Sequence, residues 1–212
     1  MMPHQSLPYN DNWTAQEMEI LQRLSDPPAI QAFLDSIPYS EDPIYRWDRK
    51  AHCFDGALFA ACALRRLGHK PLIIDMLAER DDDHMLALFK RDNCWGAVAK
   101  SNFVGLRFRE PVYRTLRELV MSYFEFYYNV EAEKTLRGYT FPLDMSKFDG
   151  LNWTQSDAHL EVAADRFDHL RRVSIVTPAM SQKLSPVDER TYRAGMQGVN
   201  EAGLYHPPPR EK

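Results

Sequence analysis

No apolar run in this sequence approaches the ~20 residues that a bilayer-spanning helix requires, so it offers no helical membrane anchor. Charge of one sign is also lacking. Lys and Arg number 26 against 30 Asp and Glu, a formal net charge of −4, and nothing global recruits nucleic acid or an anionic membrane surface. Cysteine is scarce. Cys53, Cys62 and Cys94 cannot all pair, and there is no CxxC, which argues against a disulfide framework or a structural zinc site. Free thiols set the expectation of a reducing, cytoplasmic setting. The stretch MMPHQSLPYNDNW has neither the charged n-region nor the apolar h-region of a signal peptide. Internal repeats and low-complexity tracts are absent too.

What is present is ordinary globular composition, 44% apolar and 26% charged over 212 residues. That length suits one large domain with its own core. The expected organisation is a flexible lead-in over residues 1–12, an α+β domain over 13–175, and an irregular tail over 176–212 holding Pro207 to Pro209.

Thr14 and Glu17 form a capping-box pattern for a helix to about Leu24, which Pro27 and Pro28 end. Pro28 opens a second short helix through Leu34. From about Arg49 to Leu67, Cys53, Ala57, Ala60, Ala61, Leu64 and Leu67 recur at helical spacing on one face, and Gly68 is placed as the left-handed stop. Strands are expected over Pro71–Leu77, His84–Phe89 and Trp95–Ala99, the last two joined at Asp92-Asn93. Asn102–Glu110 reads as irregular and basic, Thr115–Tyr128 as an aromatic-rich helix, Arg137–Leu143 as strand fragments, and Ser156–Arg172 as a further helix.

Cys53 opens the small-residue helix and His84 opens the second following strand, an order that can bring a thiol against an imidazole. A thiolate–imidazolium pair is the equipment of cysteine acyl transfer, and a helix N-terminus favours the thiolate. Asp81 to Asp83 would raise the pKa of His84 if close. Together with His52 or Cys53 they also offer a less favoured metal reading. His52 precedes Cys53 and, on a helix, would point about 100° away, toward the surface or a substrate pocket. Cys62 reads as core and Cys94 as incidental.

The stretch from about Trp47 to Phe103 resembles the transglutaminase-like superfamily of papain-like cysteine enzymes. Cys53, Ala57, Arg65 and Gly68 carry the likeness on the helix, followed by the apolar strand, His84 leading one strand and Trp95 leading its partner. The resemblance implies an α+β fold, a central helix packed on an antiparallel sheet with helical additions at both ends. It implies thiol-dependent acyl transfer on a peptide or protein amide, with Cys53 as nucleophile and His84 as base and no cofactor. The family's third residue is an aspartate soon after the tryptophan, but Trp95 to Asn102 contains no acid. A two-residue turn at Asp92-Asn93 would set Ser101 opposite His84, and a shift of one residue would set Lys100 or Asn102 there. Asn102 suits the chemistry best because papain-like enzymes orient the histidine with asparagine. Trp47 is either an oxyanion or pocket wall or packing under the helix. The alternative is a catalytically inactive binding or scaffold module on the same fold. The basic run from Arg107 to Arg117 reads as solvated surface, and Tyr123 to Tyr128 as mostly core.

Overall fold

The computed structural model describes residues 14–39, 52–154 and 160–210. Helix α1 (Ala15–Arg23) begins with the anticipated reciprocal cap. Thr14 Oγ1 accepts the Glu17 N–H at 3.2 Å, and the Glu17 carboxylate accepts the Thr14 N–H at 2.8 Å. Helix α2 (Pro27–Ser36) opens on its prolines under the Asp26 cap, which accepts the Ala29 N–H at 2.8 Å.

The central helix α3 (Cys53–Arg66) is shorter than the sequence pattern, because His52 is already extended at φ −83 and ψ 172. It stops at Gly68, whose φ of +90 disfavours any side chain. One sheet supports it, formed by β1 (Leu72–Ala78), β2 (His84–Arg91), β3 (Cys94–Val98), β4 (Arg109–Tyr113), β5 (Leu136–Thr140), β6 (Leu143–Asp144) and β7 (Arg172–Ser174). All pairings are antiparallel in the order β4-β3-β2-β1-β5-β7, with β6 also on β1. The β2–β3 hairpin has the expected register. Arg91 faces Cys94 and Ala87 faces Val98, leaving Asp92 and Asn93 at φ 50 and 62 as a two-residue type I′ turn.

The two sheet faces follow from the period of two. Ile73, Ala87, Phe89 and Val98 face α3, where Ala57, Ala60, Ala61 and Leu64 are fully buried. Alanines allow that close approach, and each large apolar side chain buried there stabilises by about 2 kcal/mol. Ile74, Met76, Leu86, Leu88 and Ala97 face the opposite layer, built on α4 (Leu116–Met121) and the aromatics after it.

Three expectations change. The aromatic helix ends at Met121 and gives way to a 3-10 turn at Phe124–Phe126, because so many adjacent aromatics cannot share one helical stripe. The turn sends Tyr123, Tyr127 and Tyr128 inward and leaves Phe126 44% exposed. Within the supposedly irregular basic stretch, β4 adds an edge strand with a register shift against β3, and Pro111, which has no N–H to give, is tolerated at that edge. Arg109 is not solvated there: its guanidinium lies 3.9 Å above the Tyr123 ring and donates to Gly105 O and Ser122. The helix expected from Ser156 is described as α5 (Leu160–Asp168), while its start lies outside the described residues. Residues after it include α6 (Pro178–Ser181) and α7 (Glu189–Gly195). Among the described residues no helix is long and apolar enough to cross a membrane.

Candidate functional site

The N-terminus of α3, the start of β2 and the loop after β3 meet around a cavity of about 40 Å³. Tyr39, His52, Cys53, Asp82, His84 and Ser101 contribute to its wall, as do Tyr127 and the C-terminal residues Gly203 and Tyr205. Cys53 and His84 thus share one cavity, although they reach it from different layers. His84 has the parity of Leu86 and Leu88, on the sheet face away from α3. Only its position at the first residue of the strand lets it look past the sheet end.

The Cys53 sulfur lies 3.3 Å from Nδ1 of His52. The expectation that His52 points elsewhere assumed a helical step between the two residues. His52 is instead the extended residue preceding the helix, so the 100° rule does not apply to it. Its main chain is held by Asp55, whose carboxylate accepts the His52 N–H at 3.2 Å. Its ring stands 5.8 Å from that of Tyr39. The only sequence signal was adjacency to the thiol at a helix start.

His84 donates its Nε2–H to the main-chain carbonyl of Leu106 at 2.9 Å. That bond fixes the neutral tautomer and leaves Nδ1 as the basic nitrogen. A backbone carbonyl therefore orients this ring, and no side-chain identity could have announced it. Asn102 is not the orienting group. Its Nδ2 donates to Asn200 O at 2.9 Å and to Gly203 O at 3.4 Å, and its Oδ1 accepts the Asn200 N–H at 2.8 Å. Ser101 lines the cavity and accepts the Phe103 N–H. Lys100 is buried, and its ammonium donates to Leu34 O at 2.8 Å and to Ile37 O, closing the end of α2. It presses on Gly56, where a Cβ would come within 2.2 Å of Lys100 Cβ. Trp47 lies outside the described residues.

Burial shifts the thiol and both imidazoles toward their neutral forms, away from the expected thiolate–imidazolium pair. Burial pushes the Cys53 thiol up to about 12, with Asp75 and Asp82 adding to the rise, while N–H groups of Met85 and Phe54 oppose it. The helix N-terminus does not outweigh complete desolvation. Burial also lowers His84 to about 4; the bond to Leu106 opposes this and His52 lowers it further. Burial lowers His52 as well, with Asp82 pulling it back toward the charged form. Asp81 is itself raised to about 6 by burial. Desolvation at this end of α3 therefore penalises charge of both signs.

Just behind the thiol, Asp75 on β1 faces Met85 on β2. It is buried, its Oδ1 finds no partner among the described residues, and burial pushes its carboxyl up to about 8. Among the described residues no group of three His, Cys, Asp or Glu converges as a metal site. All three cysteines are free. No family model matches the chain, and no curated protein does.

Proposed function

We propose that the protein is a thiol-dependent acyl-transfer enzyme acting on an amide, a peptidase or amidase when water is the acceptor and a transamidase when an amine is. The reading keeps the transglutaminase-like architecture that the Trp47–Phe103 stretch resembles. The observation that carries it is the 3.3 Å contact between Cys53 Sγ and an imidazole at the start of a 14-residue helix, in a cavity that a second imidazole shares.

Because thiol and rings rest neutral, the base acts during attack rather than before it. As sulfur bonds the carbonyl carbon, the thiol proton passes to His52 Nδ1. His52 suits this role better than His84, being only partly buried and facing Asp82, which stabilises the imidazolium. The tetrahedral oxyanion meets the Met85 and Phe54 N–H groups that already act on the sulfur. Collapse breaks the C–N bond, and His52 returns the proton to the departing amine. Water or an amine then takes the acyl group from sulfur. His84, locked by Leu106, presents a neutral acceptor nitrogen to the same space.

One observation favours the inactive binding module: at about 40 Å³ the cavity is far smaller than the roughly 300 Å³ or more of ordinary ligand pockets. Acylation with p-nitrophenyl acetate separates the readings, with half-buried Cys94 as internal reference. The enzyme reading expects acetyl on Cys53 that turns over, and loss of that turnover in His52→Ala. Acetyl that stays on Cys53 without release, or turnover that His52→Ala leaves unchanged, would sink it.

A further inference from the structure

Asn200 to Arg210 crosses the mouth of this cavity, and its contacts have an unusual character. Nearly all are made by side chains of the body to the main chain of the crossing segment. Asn102 takes both the N–H and the carbonyl of Asn200 and also reaches Gly203 O. Arg80 donates to Pro208 O at 2.7 Å. Gly203 and Tyr205 close the cavity wall, and Gly203 lies against the Tyr39 ring. From Leu204 onward the segment has no regular structure, and Pro207 to Pro209 hold it extended. At its far end Arg210 pairs with Glu133, which Arg80 also binds at 2.9 Å.

Main-chain recognition of an extended segment is how a cleft holds a polypeptide whatever its sequence. Resting on the acyl-transfer reading, we infer that Asn200–Arg210 occupies the cleft's own acyl-donor groove, so that the site takes an extended polypeptide and stays closed until this strap leaves. Asn102 is a latch and peptide-reading residue. Apart from the Arg210–Glu133 pair at its far end, the hydrogen bonds that the body's described residues make to the strap run to its backbone. The strap also belongs to the weakly held part of the fold, with exposed hydrogen bonds and few buried apolar contacts.

Iodoacetamide labelling of the full-length protein at pH 8.5 tests this, read as the ratio of Cys53 to Cys94 alkylation by peptide mass spectrometry. Cys62, buried in the core, reports unfolding. The double variant Asn102→Ala with Arg210→Ala should raise the ratio at least about fivefold with Cys62 protected. A synthetic peptide of residues 199–210 added to the single variant Arg210→Ala, which keeps Asn102 to read the peptide, should lower that variant's raised ratio again in a saturable way. An unchanged ratio with Cys62 protected overturns the gate, and failure of the peptide to restore protection overturns the polypeptide groove. If the double variant labels at Cys62, the single variants decide by the same criterion. Alkylation measures access and acetyl turnover, read in the double variant as well as in the native chain, measures catalysis, so the two proposals fail separately. A ratio that rises without turnover removes the enzyme and leaves the strap. Turnover with an unmoved ratio does the reverse.

Discussion

The two ends of α3 handle polar groups in opposite ways. At the C-terminal end Arg65 grips Asp149 with two parallel bonds of 2.6 and 2.8 Å, and Trp153 Nε1–H adds a third at 3.0 Å. Charge there is paired, and Arg65, together with burial's opposing pull and the Trp153 bond, leaves Asp149 below the usual carboxylate range. At the N-terminal end a thiol, two imidazoles and a carboxyl are desolvated and held neutral. The first arrangement stabilises the fold. The second burdens it, since buried polar groups without full partners are destabilising. The acyl-transfer proposal gives such a cluster a use that stability does not.

If that contrast holds, substitutions at the two ends should separate activity from stability. The largest effect expected is for Cys53→Ser, which should reduce acyl transfer at least about a thousandfold, roughly 4 kcal/mol of transition-state free energy. Its urea midpoint should move little, by less than about 1 kcal/mol. His52→Ala comes next, at about a hundredfold, the usual scale of a positioned base, and His84→Ala should cost activity less. A larger loss for His84→Ala would transfer the base role to His84. Activity should decline as pH falls through a value below the ordinary histidine range, following the lowered His52.

This same contrast marks what could be read in the residues. The backbone of the packed end was legible, but its Arg65–Asp149 pair, formed across 84 residues, was not. The helical spacing of the alanines, the Gly68 stop and the Asp92-Asn93 turn all report local backbone geometry, which sequence carries directly. So did the Thr14–Glu17 cap. At the polar end, Cys53 and His84 were legible as residue types and do share a cavity, but their partners were not. Leu106 acts through its main chain, which has no sequence signature. Asn102 suits the chemistry of a ring-orienting group near an extrapolated register, yet the pairing ends at Val98 and its amide serves a segment almost a hundred residues on. The neutral state of the pair depends on burial, which no local pattern encodes. The edge strands β4 and β7 stayed unread because their pairing, rather than their own composition, makes them strands.

A smaller effect is expected at the structural end. Arg65→Ala should lower stability by about 1–2 kcal/mol, a charge-assisted bidentate bond discounted for the partial exposure of Asp149, whose side chain is 34% exposed. Asp149 titrates lower folded than unfolded, so this contribution is present above the unfolded carboxylate pKa and lost as pH falls through the folded one. The Cys53 to Cys94 labelling ratio should stay where it is in the native chain. A change in that ratio would mean the helix transmits strain along its length, and the two ends would no longer be independent.

Asp75 offers the subtlest test, because it makes the burden at the polar end visible as a pH dependence. Its carboxyl is raised by burial to about 8 from 3.8, with Asp83 and Asp168 adding to the rise and Arg172 opposing it. Between those values the native chain holds a proton that the unfolded chain has released, so stability must fall as pH rises through the interval. His84 works the other way. Its pKa is lowered from 6.5 to about 4, so in that span the unfolded chain binds the extra proton and stability rises with pH. The two slopes oppose one another below pH 6.5, leaving the fall due to Asp75 unmasked from there to about 8. Thermal unfolding should therefore show the midpoint declining across that upper window. Asp75→Asn, which cannot ionise, should flatten the decline and raise the midpoint most at the upper end of that window. A variant that loses stability at every pH alike would show that the carboxyl is bonded and ionised, and the contrast between the two ends of α3 would reduce to one of packing.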